Sequence, residues 1–252
     1  MRSIGPALVL AATLAALPAA AAGQGDKPAE AGKAIEASAT VATAKPAKPK
    51  ARRAADPVVT GSIGPIPEPV PFRPPYGLVS WYQERGGMSL PSGDRLVYCH
   101  GFECRLRTAI PMSGEDLKTL TELFASHAAT PEAEREAIDL AVQWWEKHAA
   151  PLLGGPPDIR GSEPKHANKR GQTDCLDEAT NSTTILVYLQ EKGLLRHHRV
   201  IRPESRGGFL YAHATAVFQE VAGGRDWIVD SWMRDSGDPN DVMPLDQWLA
   251  SW

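Results

Sequence analysis

The chain has 252 residues, with 27 Lys and Arg against 30 Asp and Glu and a formal net charge of −3. This length allows one large domain or two small ones. The charge balance lacks the basic excess by which proteins bind nucleic-acid phosphates, so it argues against a nucleic-acid partner.

The N-terminus has the pattern of a secretory signal. One early Arg precedes an apolar run over residues 4–17, and an A-x-A site follows at residues 20–22. The run is shorter than the about 20 residues that a membrane span needs. The sequence therefore predicts a signal peptide over residues 1–22 and secretion to the periplasm, with a retained anchor as the alternative.

Residues 23–75 are rich in Ala, Pro, Lys, Glu and Thr and poor in large apolar side chains. Such a composition cannot bury enough surface to offset the entropy of ordering, so it predicts a disordered tether. Within it, "AKPAKPKARR" (residues 44–53) holds five cationic side chains and no acid. We interpret this stretch as a solvated spacer, or alternatively as a segment in weak contact with an anionic envelope surface.

Residues 76–252 are enough for one sizeable core and contain all seven Trp. Two helices are predicted first, one capped by Ser113 and one capped by Thr130, with Pro131 at the first helical position. A third helix starts at Cys175, and Gly193 is a credible residue to end it. Each start combines a capping residue with an apolar stripe at helical spacing.

After the third helix the apolar period changes to two. "HHRVIRP", "YAHATAVFQEV" and "RDWIVDSWM" predict strands, and "AGGR" between the last two is a hairpin signal. The final "PLDQWLASW" predicts a short docking helix. Helices followed by an antiparallel sheet indicate an α+β fold in which the Cys175 helix packs on the sheet.

The three cysteines fall into a pair and a single residue. In a secreted chain nearby cysteines usually pair, and a turn can bring Cys99 and Cys104 within disulfide range. Cys175 then remains a free thiol in the first turn of a helix, where free N–H groups and the helix dipole favour a thiolate. We predict a lowered pKa for this thiol; the alternative is a small buried core residue.

His213 and Asp230 lie on adjacent predicted strands, and their parity places both side chains on one sheet face. A tight turn at residues 223–224 would leave them about four residues apart along the strands, so we predict a wider turn centred at residues 221–222. With Cys175 they form a thiol–imidazole–carboxylate triad.

"TDCLDEA", "HATAVF" and "WIVDSW" resemble the signature of the transglutaminase-like cysteine peptidases of bacteria, within the papain-like superfamily. The resemblance covers residues 98–248, and the "C-x4-C" pair resembles the region that precedes the core in periplasmic members. It implies a papain/transglutaminase-like core with Cys175 as nucleophile, His213 as base and Asp230 as orienting residue. It also implies that Trp232 shields the bond between the last two.

The oxyanion hole departs from the family pattern. The usual "GDC" appears here as "TDC", and no Gln stands at the papain-like distance before the cysteine. Gln172 is the only nearby side-chain donor, so it is the candidate beside the backbone N–H of Cys175.

We predict no required cofactor. Some periplasmic members of the family bind calcium through acids around the nucleophile, and Asp174, Asp177 and Glu178 are present here. The alternative is that these acids complement the helix dipole. Zinc is disfavoured because the chain has no C-x-x-C or H-x-x-x-H pair, and His197 and His198 are adjacent.

The leading functional hypothesis is a secreted thiol enzyme, a monomer that hydrolyses peptide or amide bonds of an envelope protein. One alternative is a transamidase that transfers the acyl group to an amine and cross-links proteins. Another is a catalytically inactive binding module with the same fold. The triad does not separate the two enzymes, because both pass through an acyl-enzyme on Cys175.

Overall fold

The computed structural model describes residues 65–161, 163–208 and 211–251. The predicted signal peptide and the tether up to residue 64 lie outside the described residues. Helices and antiparallel sheets together give the described part a mixed α+β fold, as predicted. Within this part, no helix combines the length and apolarity that crossing a membrane requires.

The described residues form five α-helices: α1 (Tyr76–Glu84), α2 (Gly114–Ser126), α3 (Pro131–Ala149), α4 (Cys175–Glu191) and α5 (Leu245–Ala250). They also form seven strands: β1 (Arg95–His100), β2 (Leu106–Pro111), β3 (His198–Val200), β4 (Glu204–Gly208), β5 (Tyr211–Glu220), β6 (Asp226–Asp230) and β7 (Asp241–Pro244). Single 3-10 turns occupy Ala150–Leu152 and Pro164–His166.

Local capping determines where α2 and α3 begin. Ser113 Oγ accepts from Asp116 N at 3.2 Å, and the Asp116 carboxylate accepts from Ser113 N at 2.8 Å, which completes a capping box. Thr130 Oγ1 accepts from Ala133 N at 3.2 Å, and Pro131 follows at the first helical position. Both predicted helix starts are confirmed.

The larger sheet has the order β3-β5-β6-β7, and β4 also pairs with β5. All its pairings are antiparallel. Helix α4 packs on β5. The β5 residues Ala214, Ala216 and Phe218 lie in the main core. Val217 lies in a second apolar cluster with Trp248 of α5. Helices therefore cover both faces of the strand that carries His213.

The register of the β5–β6 hairpin lies between that of a tight turn at residues 223–224 and that of a wider turn centred at residues 221–222. Ala216 pairs with Val229, and Glu220 N donates to Arg225 O at 2.8 Å, so residues 221–224 form the loop. The predicted turn centre at residues 221–222 is therefore wrong by one residue. A further backbone hydrogen bond, from Gly224 N to Glu220 O at 2.8 Å, holds the loop, and the sequence pattern does not specify it.

Residues 65–75, predicted as the end of the tether, pack on the folded domain. Val70 N donates to Leu195 O at 2.8 Å, and Gln190 Nε2 donates to Pro71 O at 3.3 Å. Arg196 Nη1 donates to Pro67 O at 2.5 Å. Phe72 also packs against the main core, so described residues upstream of the predicted boundary at residue 76 contact the folded part.

Candidate active site

Cys175 is the first residue of α4, and Asp174 caps the helix. Asp174 Oδ1 accepts from Leu176 N at 3.1 Å and from Asp177 N at 2.9 Å. Asp177 Oδ2 in turn accepts from Asp174 N at 3.4 Å. The capping box satisfies these backbone donors, so the helix starts at the cysteine and presents its N-terminus beside the thiol.

A disulfide closes the loop that lies against this helix start. Cys99 and Cys104 are bonded, with their Cα atoms 4.6 Å apart, as predicted. Phe102, Glu103 and Cys104 have φ angles of 72°, 54° and 55°, in the left-handed region that side chains usually avoid. Successive backbone N–H groups in such turns converge and favour an anionic partner.

Two carboxylates of the α4 start are that partner. Asp177 accepts from Phe102 N at 2.8 Å and from Cys104 N at 2.6 Å. Asp174 accepts from Glu103 N at 3.0 Å. The disulfide loop therefore supports the helix terminus that carries the nucleophile.

These contacts bear on the acids considered for calcium. Asp174 and Asp177 accept backbone N–H groups, as residues that cap a helix do. Within the described ranges, the group of metal-ligating atoms close enough to share an ion is Cys99, Cys104 and Asp177, all within 4.8 Å of one another. The two sulfur atoms form the disulfide, so they are not thiolate ligands.

His213 and Asp230 form a direct, buried pair. His213 Nε2 lies 2.6 Å from Asp230 Oδ2, and Trp232 N donates to Asp230 Oδ1 at 3.3 Å. The centroids of the Trp232 and His213 rings are 4.4 Å apart, at an interplanar angle of 33°. Trp232 therefore covers the imidazole and its bond to the carboxylate, in the place that the family resemblance implies.

The Cys175 thiol lies against β5 on both sides of His213. Its Sγ contacts Ala212 O at 3.8 Å, and the backbone N–H of Ala214 also faces the sulfur. Because His213 Nε2 bonds to Asp230, the candidate acceptor for the thiol proton is Nδ1, the ring nitrogen nearer to the main chain.

The Cys175 side chain is a neutral thiol at neutral pH. Burial raises the pKa of Cys175 to about 11; the Ala214 N–H lowers it, whereas the Asp174 and Asp230 carboxylates raise it. The predicted lowering of this pKa is therefore wrong for the resting site, because desolvation and two nearby negative charges outweigh the helix terminus. Such a thiol needs a base to become a nucleophile.

Gln172, the candidate oxyanion donor, is buried and bonds to a neighbouring loop. Its Nε2 donates to Pro157 O at 3.0 Å and contacts Pro156 O at 3.5 Å. Its backbone O accepts from Gly101 N at 2.6 Å. These contacts make Gln172 a positioning residue for the loops beside the site, and the backbone N–H of Cys175 is the other candidate oxyanion donor.

Glu178 links the segments that carry the triad, a role that the sequence did not reveal. Its Oε1 accepts from Thr173 Oγ1 at 2.5 Å, and its Oε2 accepts from Ser231 Oγ at 2.6 Å. Thr173 stands two residues before Cys175, and Ser231 directly follows Asp230. A single buried carboxyl group thus fixes the spacing between the nucleophile segment and the strand end.

Two further acids lie near Glu178. Asp158 Oδ1 accepts from Thr173 N at 2.7 Å, and Glu146 Oε2 accepts from Gly237 N at 2.6 Å. Burial raises the pKa of all three carboxyl groups, that of Asp158 to about 8. Repulsion from Glu178 adds to the shifts of Glu146 and Asp158, and repulsion from Asp230 and Asp174 adds to that of Glu178. Asp158 therefore holds a proton at neutral pH.

Trp248 of α5 also contacts the triad. Its Nε1 donates to Asp230 Oδ2 at 2.8 Å. The sequence predicted only a docking helix here, because no local pattern indicates which indole meets a carboxylate 18 residues away.

No protein-family model, curated protein or solved structure matches this chain. The resemblance to the transglutaminase-like cysteine peptidases therefore has only the three quoted motifs and the cysteine spacing as its support. The site itself consists of a thiol at a helix N-terminus and an imidazole–carboxylate pair on an adjacent sheet.

Proposed function

We propose that the protein is a periplasmic thiol enzyme of the transglutaminase-like cysteine peptidase type, which hydrolyses peptide or amide bonds of a protein substrate. The observation that carries this proposal is the 2.6 Å hydrogen bond between His213 Nε2 and Asp230 Oδ2, on the strand whose backbone contacts the Cys175 thiol. A papain/transglutaminase-like core, with the nucleophile helix on an antiparallel sheet, agrees with the packing of α4 on β5.

The reaction starts with a proton transfer. The Sγ–H proton of Cys175 passes to His213 Nδ1 as the sulfur attacks the substrate carbonyl carbon. The resulting oxyanion accepts a hydrogen bond from the Cys175 backbone N–H at the start of α4. His213 then gives its proton to the leaving amine, the C–N bond breaks, and a thioester remains on Cys175.

Water completes the cycle. It attacks the thioester carbonyl while His213 accepts its proton, and Cys175 Sγ leaves and recovers a proton from the ring. An amine would replace water only where a binding surface raised its effective concentration. Water is therefore the acyl acceptor in this proposal, and transfer of the acyl group to an amine is the alternative.

Asp230 and Trp232 keep the base ready for both steps. The carboxylate holds Nε2–H, so the neutral ring presents Nδ1 as the proton acceptor, and it stabilises the imidazolium that forms. Trp232 limits water access to this bond, which strengthens it. The Cys99–Cys104 disulfide supports an oxidising compartment such as the periplasm.

The test uses p-nitrophenyl acetate as a small activated acyl donor. We expect a burst of p-nitrophenol and an acetyl group on Cys175 detectable by mass spectrometry. Cys175→Ala should abolish both, and His213→Ala should slow acylation by about 100-fold or more. Equal turnover by wild type and Cys175→Ala would overturn the proposal and support the inactive binding module.

A second experiment separates hydrolysis from amine transfer. Casein serves as the protein substrate, with a labelled primary amine in large excess. We expect new peptide ends and little incorporated label. Label incorporation above hydrolysis would make the protein a transamidase.

A further inference from the structure

Asp230 Oδ2 lies between two buried donors. It is 2.6 Å from His213 Nε2 and 2.8 Å from Trp248 Nε1. The Trp248 side chain is only 1% exposed, and its ring centroid lies 5.4 Å from that of His213. Trp232 N donates to the other carboxylate oxygen at 3.3 Å. The orienting carboxylate is therefore held at both oxygens, and the C-terminal helix supplies one of its donors.

Helix α5 is fastened to the strand beside the base. The Arg206 guanidinium lies 4.0 Å above the Trp248 ring, donates to Ser251 Oγ at 2.7 Å and also bonds to Trp248 O. Arg206 pairs with His213 across the β4–β5 ladder. The indole is thereby fixed from the neighbouring strand, and its N–H direction is set by more than the packing of α5.

On the basis of the proposed function, we propose that Trp248 is a positioning residue of the triad. Its indole N–H fixes the Asp230 carboxylate in the orientation that receives His213 Nε2–H. The indole nitrogen is only a hydrogen-bond donor, so Asp230 Oδ2 accepts from it at every step of the proposed reaction.

The same contact acts when the ring is charged. When His213 becomes an imidazolium, Asp230 Oδ2 still accepts from Nε2–H, in the direction that the indole N–H has fixed. The ring therefore keeps the orientation in which Nδ1–H faces the leaving amine.

Trp248→Phe tests this role, because it retains an aromatic ring and removes the N–H. Trp81→Phe is the matched control. Trp81 is also 1% exposed, its Nε1 donates to Thr180 Oγ1 at 3.1 Å, and the Arg85 guanidinium lies 3.2 Å above its ring. Each substitution removes one buried indole hydrogen bond from a ring that an arginine covers. Only the bond of Trp248 ends on the triad residue Asp230.

We expect Trp248→Phe to slow acylation of Cys175 by p-nitrophenyl acetate about 10-fold or more, against about twofold for Trp81→Phe, with similar decreases in Tm. In a His213→Ala background, Trp248→Phe should have no further effect, because its action passes through the imidazole. An equal loss in both backgrounds, or no loss at all, would overturn the inference.

An NMR measurement separates this inference from the proposed function. The His213 Nε2–H resonance should move in Trp248→Phe and stay in place in Trp81→Phe, whether or not the protein acylates. If Trp248→Phe does not fold, the Trp248 Nε1–H resonance should move when Asp230 is changed to Asn. A resonance that fails to move in the relevant variant refutes the positioning role, whereas a wild type without Cys175-dependent acylation refutes the function.

Discussion

His213 and Asp230 form their 2.6 Å hydrogen bond although they are not opposite each other in the β5–β6 ladder. Ala216 pairs with Val229, so continuing the register places Thr215 opposite Asp230. The imidazole therefore reaches its carboxylate diagonally across the face of the sheet, over a spacing that side chains of this length can bridge. A diagonal contact has no support from the strand ladder, so the orientation of the carboxylate depends on its other donors.

We expect Asp230→Asn to keep the fold and to lower acylation of Cys175 by about 10³- to 10⁴-fold. The amide presents an N–H group to His213 Nε2 and so favours the tautomer whose proton is on Nδ1, where it cannot accept the thiol proton. Acylation by p-nitrophenyl acetate and the melting curve should be measured together. Full activity in a folded Asp230→Asn protein would show that the triad is assigned wrongly.

The reactivity of Cys175 should rise with pH well beyond neutrality. Since burial raises the pKa of this thiol to about 11, its thiolate fraction grows through pH 8 to 11, whereas a peptide thiol with a pKa of about 8.5 levels off earlier. Alkylation by iodoacetamide can be followed by mass spectrometry across this range, with a cysteine peptide as control. A plateau below pH 8 would reveal a preformed thiolate–imidazolium pair.

Protein stability should fall between about pH 4 and pH 8. The pKa of Asp158 is raised from its ordinary value of 3.8 to about 8, so in this window the folded state binds more protons than the unfolded state. The free energy of unfolding then decreases as pH rises and changes no further from this source above pH 8. Glu146 and Glu178 contribute with the same sign.

Asp158→Asn should reduce this pH dependence. We expect the decrease in Tm between pH 5 and 8 to shrink by about 5 °C or more, given about 2–4 °C per kcal/mol for a domain of this size. Asp246→Asn is the control, because that carboxylate is 73% exposed. If Tm changed with pH identically in wild type and Asp158→Asn, the raised pKa of Asp158 would be contradicted.

Reduction of the Cys99–Cys104 disulfide should lower both the stability of the domain and the rate of Cys175 acylation. Opening so short a loop removes about 2 kcal/mol in the chain-entropy model, which corresponds to about 4–8 °C in Tm. Acylation of Cys175 should also slow, because the loop donates three backbone N–H groups to Asp174 and Asp177. The double variant Cys99→Ser/Cys104→Ser, tested without reductant, should reproduce both effects; normal acylation in it would show that the loop and the helix start are independent.

Removal of residues 65–75 should destabilise the domain. A chain starting at Tyr76 loses three hydrogen bonds to Leu195, Gln190 and Arg196, worth about 2–3 kcal/mol in total. A chain starting at Pro65 keeps these contacts and is the control. Equal Tm values for the two chains would show that the segment contributes nothing to stability.

What could be predicted from the sequence was largely local. Capping residues with apolar stripes located the starts of α2, α3 and α4, and residue parity placed His213 and Asp230 on one sheet face. The turn register was missed, because the loop at residues 221–224 contains no signal that selects one length.

Properties that depend on tertiary surroundings could not be predicted in this way. The pKa of Cys175 depends on burial and on carboxylates contributed by two different elements, and burial outweighed the helix effect. The contact of Trp248 with Asp230 and the link made by Glu178 join residues that no sequence period relates. The packing of residues 65–75 rests on Phe72 and on hydrogen bonds of the segment's backbone, neither of which its overall composition predicts.

Strand β5 is paired along one edge by β4 and then by β3, and along the other edge by β6. Among the described residues, His213 therefore belongs to a strand that is hydrogen-bonded along both edges, so the amide protons of this strand should exchange slowly with solvent. In the proposed enzyme, the sheet therefore holds the base, and the disulfide loop holds the start of the helix that carries the nucleophile.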